Sequence, residues 1–228
     1  MKNIFFLTLL LIISNLNSQS SIDCNSNLSI FAEYYKVKNY EAAYEPWMSV
    51  RKECPKINPA IYFQGSRMLE EFIKTSDGES KIAYQDDLLK LYDEWLINFP
   101  AYNGRSIVGQ IMSNKAQKMI DYKLATKTEI FDLFENAYQT DPVSFDDPKP
   151  LYNYFKTYFE LYKAGNGEIT LNQIFNKYEE LSERYNSIID EYSKQIDIII
   201  NKENSGIALT SREKRNKWVY EINLSLIH

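Results

Sequence analysis

Between residues 24 and 164 apolar side chains recur at helical spacing, and prolines interrupt the recurrence at Pro55, Pro100 and Pro142. Leu28, Phe31, Ala32 and Tyr35 form the first i, i+3, i+4, i+7 stripe. A proline inside a helix removes one amide donor and drives its ring into the preceding turn, so a helix ends near each of these residues and the chain reverses. The pattern predicts a second helix ending at Glu53, then helices over 59–74, 80–98 and 104–121. A sixth runs from Thr126 to just before Pro142, and a seventh covers 151–164, closed by Gly165-Asn166-Gly167. Ser76 with Glu79, Thr126 with Glu129, Thr170 with Gln173 and Thr210 with Glu213 have the spacing of capping boxes. With 7 Gly and 7 Pro in 228 residues the chain is poor in turn formers, and 44% hydrophobic residues supply a core, so the expected fold class is all-α.

The first residues read differently. Ile4 to Ile13 form an apolar run broken only by Thr8, behind Lys2 and ahead of Ser14, Asn15, Asn17 and Ser18. The run is shorter than a bilayer-spanning helix needs and has the form of a secretory leader over residues 1–18, with cleavage near Ser18-Gln19. A lipid-modified cysteine would have to follow the run directly, and Cys24 lies too far on. The expected location is therefore periplasmic or secreted, soluble after cleavage. Export places Cys24 and Cys54 in an oxidising compartment. A bridge between them would close a loop of about 30 residues and contribute roughly 3 kcal/mol; two separate thiols are the alternative. The single histidine, His228, and the absence of CxxC spacing leave no metal-ligand set, and no cofactor is expected.

Residues 170–201 stand apart from the rest. They contain neither Gly nor Pro, and Ile174, Tyr178, Leu181, Tyr185, Ile188 and Tyr192 are spaced 4, 3, 4, 3, 4, with Ile199 continuing the register past Gln195. This is a coiled-coil-like seam on one long helix. It either packs along the preceding helices or projects as an assembly seam that meets a second chain. Residues 202–228 then form a loop and a short helix carrying Arg212, Lys214, Arg215 and Lys217, either a solvated face or a contact for an anionic surface.

Paired helices with recurrent proline stops suggest a repeat. Residues 38–55, KNYEAAYEPWMSVRKECP, resemble the second helix of a tetratricopeptide repeat, with Ala43, Trp47, Val50 and Pro55 on its small, aromatic, small and closing positions. Ile30 and Tyr34 then match the first helix, with Phe31 on the usual Gly position. Residues Ile130, Phe134, Ala137 and Pro142 match in the same way, Leu88, Tyr92 and Trp95 more loosely, and Gly65 and Gly109 fall on first-helix Gly positions. The whole chain also resembles a group of exported bacterial proteins with such repeats. The resemblance rests on Cys24, Asn27 to Ser29, Tyr40 to Trp47, Cys54-Pro55 and Leu209 to Arg215. The resemblance implies a right-handed α-solenoid of irregular helix pairs over 24–169 followed by the long helix. It also implies a short form or N-terminal portion of longer proteins. An irregular helical bundle is the alternative fold.

Several function classes drop out on composition. The formal charge of -5, or -6 once Lys2 leaves with the leader (-5 - 1), offers no bulk attraction for nucleic acid. A His-based triad would have to use His228, the single histidine, and none is expected; no Gly-rich phosphate loop is present. The pairs Asp86-Asp87 and Asp146-Asp147 are adjacent in sequence and do not face each other. No catalytic residue is expected. The leading expectation is a scaffold that binds another protein or an extended peptide. The repeat resemblance nominates Tyr35, Lys36, Tyr62, Ser66, Asn103, Gln110, Asn114, Tyr152 and Lys156 for its concave face. A structural spacer or assembly subunit that oligomerises through 170–201 is the second expectation, and an exported enzyme accessory or glycan-binding module using surface tyrosines the third.

Overall fold

The computed structural model describes residues 23–165 and 169–225. The leader expected over 1–18 lies outside the described residues. Nearly every described segment is helical, and the described residues are all-α apart from one short hairpin. No described helix is long and apolar enough to cross a membrane. The chain divides into two compact units at Met68–Leu69.

The first unit holds α1 (Cys24–Lys36), α2 (Tyr40–Glu53) and the beginning of α3 (Ala60–Thr75). Asp23 starts α1 by accepting from the amides of Asn25 and Ser26, at 3.1 and 3.0 Å. Lys38 takes a left-handed conformation between the helices, and Asn39 caps α2 by accepting from Ala42 N at 3.3 Å. Ala43, Trp47 and Val50, spaced 4 and 3, lie on one face of α2 and are fully buried. Trp47 Nε1 donates to the Ile61 carbonyl at 2.7 Å, and the Arg51 guanidinium sits 5.0 Å over its ring. Gly65 is there because nothing larger fits: a β-carbon on it would fall 2.5 Å from Trp47 Nε1. A Cys24–Cys54 disulfide joins the start of α1 to the end of α2, with Cα atoms 6.2 Å apart. On α1 the burial departs from the repeat register. Phe31 is fully buried, whereas Ile30 and Tyr34 remain about two-fifths exposed at 41% and 40%. The stripe through Phe31 and Tyr35, rather than the one through Ile30 and Tyr34, is therefore what α1 packs with.

The second unit holds the rest of α3 and then α4 (Gly78–Asn98), β1 (Ala101–Tyr102), β2 (Arg105–Ser106), α5 (Val108–Tyr122), α6 (Lys127–Thr140), α7 (Pro148–Lys163), α8 (Leu171–Asn204) and α9 (Ser211–Ser225). Three of the four capping boxes form, at Thr126, Thr170 and Thr210. Ser76 and Glu79 do not form one; Asp77 occupies the N-cap without a side-chain bond and Gly78 opens the helix at φ 50°. The helix expected from residue 104 begins at Val108 instead. Asn103 and Gly104, at φ 50° and 75°, turn an antiparallel hairpin ahead of it, the dipeptide that a tight hairpin turn prefers. The helix expected over 151–164 begins earlier, because Asp147 caps α7 and Pro148 serves as its first residue.

Each helix from α4 to α9 packs on the next, and α5 also packs on α7. The α6–α7 turn closes over the start of α5. Asp141 carboxylate oxygens accept from the hydroxyls of Ser106 and Ser144, both at 2.5 Å, and from Gly109 N at 3.5 Å. Ser144 Oγ accepts from Gln110 N at 3.2 Å. Gly109 is buried so tightly that a β-carbon would overlap the Asp141 carbonyl. Burial alone would raise the Asp141 carboxyl, but the hydrogen bonds from Ser106, Ser144 and Gly109 hold it below its usual value. The folded value lies under the unfolded one, so the carboxylate contributes stability above about pH 4 that fades as pH falls below it. Asp141→Asn is expected to flatten the acid limb of a stability-versus-pH curve measured by thermal melting. An unchanged limb would mean that Asp141 does not tie the turn to α5.

The seam on α8 is occupied within the chain. Leu181 and Ile188 join Met112, Ala116, Ile130, Phe134, Ala137, Phe145, Leu151 and Tyr154 in one buried core, and Tyr185 and Tyr192 pack against it. Ile174 and Ile199 are buried as well, while Tyr178 is 55% exposed. Of the two arrangements the seam allows, packing along the preceding helices is the one in which Leu181 and Ile188 enter this core, while Tyr178 stays exposed. Lys177 holds α8 down beside this core. Its ammonium lies 3.4 Å from Glu135 and 5.3 Å from the Tyr154 ring, and the Tyr154 hydroxyl donates to the same Glu135 carboxylate. Farther along, Arg184 donates to the Val143 carbonyl at 2.8 Å.

Candidate functional site: an aromatic groove between two helices

Helix α7 is apolar on two faces rather than one. Leu151, Tyr154, Tyr158 and Leu161, spaced 3, 4 and 3, enter the core. Tyr152, Phe155 and Phe159, spaced 3 and 4, form a second stripe. A helix with two apolar faces needs two neighbours, and α8 serves as the second only in part. Between them runs a groove of about 480 Å3 lined by Tyr152, Phe155, Tyr178, Ser182, Tyr185 and Ile189, with Leu151 and Leu181 buried beneath. Phe155 meets Tyr178 edge-on at 5.5 Å and stacks on Phe159 at 6.3 Å. Tyr152 and Tyr178 keep 60% and 55% of their surface in water, so a ligand lying here would cover them.

Phenols, an amide (Asn186) and a hydroxyl (Ser182) are the polar groups of the lining, which includes no carboxylate, amine or imidazole. Burial pushes the Tyr185 phenol further above neutrality, so it acts as a hydrogen-bond donor and acceptor rather than a proton carrier. Beneath the groove Tyr154 is held protonated, first by burial and then by its bond to Glu135. The arrangement suits contact with an apolar chain whose backbone finds a few hydrogen bonds. A larger hollow of about 610 Å3 lies along α8 between Asp146, Arg184, Asp190 and Lys194. With Glu183 and Glu191 added, carboxylates outnumber cations in its lining, and it offers less apolar than polar surface.

The nominated binding residues are divided between the two units. Tyr62 and Ser66 are buried, so neither lines a groove: the Tyr62 hydroxyl donates to the Pro55 carbonyl at 3.0 Å and Ser66 to Phe63 O at 3.1 Å. Tyr35 is half-buried between the Phe31 and Tyr40 rings, at 5.9 and 5.6 Å, and Lys36 ends α1 exposed. Asn103 is a hairpin-turn residue, and Gln110 and Asn114 sit on α5. Of the nominated set within the second unit, Tyr152 lines the aromatic groove, whereas Lys156 borders a separate cavity of about 200 Å3 with Asn153 and Glu160. Phe155 and Phe159 fall outside the nominated set. Their signal was present as the second apolar stripe of α7, obscured by the first. No group of three or more His, Cys, Asp or Glu among the described residues is placed to hold a metal ion.

No family model matches the chain, and neither the curated proteins nor the solved structures contain a significant match to it.

Proposed function

We propose that this chain is a non-enzymatic binding scaffold of the bacterial cell envelope, an irregular right-handed tetratricopeptide-like solenoid that holds an extended apolar segment of a partner protein in the α7–α8 groove. The observation that carries the reading is the groove itself, with solvent-exposed Tyr152 and Tyr178 over a buried Leu151 and Leu181 floor. Exposed aromatic side chains backed by a rigid core are what dominates affinity at protein surfaces. Support for a stacked array comes from α5, which packs on both α6 and α7, since in repeated helix pairs the first helices of neighbouring pairs touch. The apolar run at Ile4–Ile13 supports export, and the Cys24–Cys54 pair fits an oxidising compartment.

The test is selection of extended peptides from a display library on the purified chain, followed by affinity measurement. Apolar or aromatic consensus peptides are expected. Tyr152→Ala combined with Tyr178→Ala is expected to weaken them by roughly 10-fold or more, with the melting temperature little changed. Selected peptides whose affinity ignores both tyrosines would remove the groove from consideration.

A further inference from the structure

Helix α9 presents two opposite chemistries. Its inner face is tied to α8: Glu213 accepts from Lys202 at 2.6 Å, Lys217 donates to Glu203 at 2.6 Å, and Tyr220 lies 5.0 Å from Tyr192. The Lys202 ammonium, followed by the Thr210 amide and hydroxyl, pulls the Glu213 carboxyl down to about 2, so this clasp stays charged at any physiological pH. Its outer face carries Arg212, Lys214 and Arg215, all exposed and free of ion pairs among the described residues. Trp218 follows with 62% of its surface in water, beside Val219 at 38%. Helical spacing of 3 and 4 places Arg212, Arg215 and Val219 in one row and Lys214 and Trp218 in the next.

We infer that this strip is a shallow docking surface for an anionic lipid bilayer. Three cations meet lipid phosphates, and the indole sits at headgroup depth, where an amphipathic aromatic ring is most stable. The charge argument selects an anionic partner, because the cations stand unpaired in a chain whose net charge is -5. The same net charge opposes a nucleic acid, which would have to be followed over a long surface, whereas a bilayer is touched by one helix with the acidic remainder turned away. The tryptophan favours lipid over an acidic polypeptide, since it offers a large apolar surface with a single donor at its tip. The inference does not depend on the α7–α8 groove.

The experiment is co-sedimentation of the full chain with vesicles of phosphatidylglycerol and phosphatidylcholine in equal parts, against vesicles of phosphatidylcholine alone. Binding to the anionic vesicles, with a blue shift of tryptophan fluorescence that Trp218→Phe removes, is the expected result. Raising salt to about 0.5 M is expected to release the protein. Arg212→Gln, Lys214→Gln and Arg215→Gln together are expected to weaken binding on the order of 100-fold. The reciprocal variant Arg212→Lys with Arg215→Lys retains it, which separates lost charge from a damaged helix. Equal binding to neutral vesicles, no binding to either, or an unaffected triple variant overturns the inference. Binding to polyglutamate but not to vesicles also overturns it and assigns the strip to an acidic protein. The Tyr152→Ala, Tyr178→Ala variant is expected to bind vesicles normally, so the two surfaces fail independently.

Discussion

Trp47→Ala is expected to remove about 4 kcal/mol of stability, enough to bring the first unit close to unfolding. The indole is fully buried, donates to the Ile61 carbonyl at 2.7 Å and supports the Arg51 guanidinium. Truncation leaves a cavity and removes the indole's hydrogen bond to the Ile61 carbonyl and its contact with the Arg51 guanidinium. Gly65 provides the internal check. Its missing β-carbon is the space the indole fills, so Gly65→Ala in the native background costs about 1–3 kcal/mol through overpacking. In a Trp47→Phe background, where the ring is smaller, the same substitution is expected to cost at least about 1 kcal/mol less. Urea denaturation followed by circular dichroism measures all four corners of this cycle. Strict additivity would show that Gly65 and Trp47 are not the packing pair.

Leu181→Lys and Ile188→Lys are each expected to unfold the second unit, or to cost more than about 4 kcal/mol. Both side chains are only 4% exposed and contribute to the core around Phe134, Phe145 and Tyr154. A lysine there must leave its ammonium unpaired among aromatic rings or drag α8 away from α6 and α7. An intermolecular seam makes the opposite prediction: the variants keep their helicity and merely lose a dimer. Melting by circular dichroism, together with sedimentation of the native chain, separates the two. Folded, monomeric variants of a dimeric native protein would show that the seam belongs to a second copy.

Much of the helical pattern was legible in the residues, because helix formation is a local matter of apolar period, capping side chains and proline. Thr126-Glu129, Thr170-Gln173 and Thr210-Glu213 all form the boxes their spacing indicates. Ser76-Glu79 has the same spacing and does not, since Gly78 in a left-handed conformation moves the helix start by one residue. Asn103-Gly104 is an equally local signal and was passed over because the surrounding residues read as helix. The groove was less legible. Repeat geometry points to Tyr152, whereas Phe155 and Phe159 share their helix with the core row through Leu151, Tyr154 and Tyr158, which masks the second stripe.

Residues 23–225, taken alone, determined that this protein is helical, where most of its helices start and stop, and that Cys24 and Cys54 stand near the ends of consecutive helices. Only the tertiary structure decided which apolar stripe faces inward. On α1 it is the row through Phe31 rather than Ile30 and Tyr34, and on α8 Leu181 and Ile188 meet their own chain. The physical reason is that periodicity specifies an apolar face without specifying its neighbour. Whether that face becomes core, seam or groove depends on which helix comes to lie against it and how much of it that helix covers.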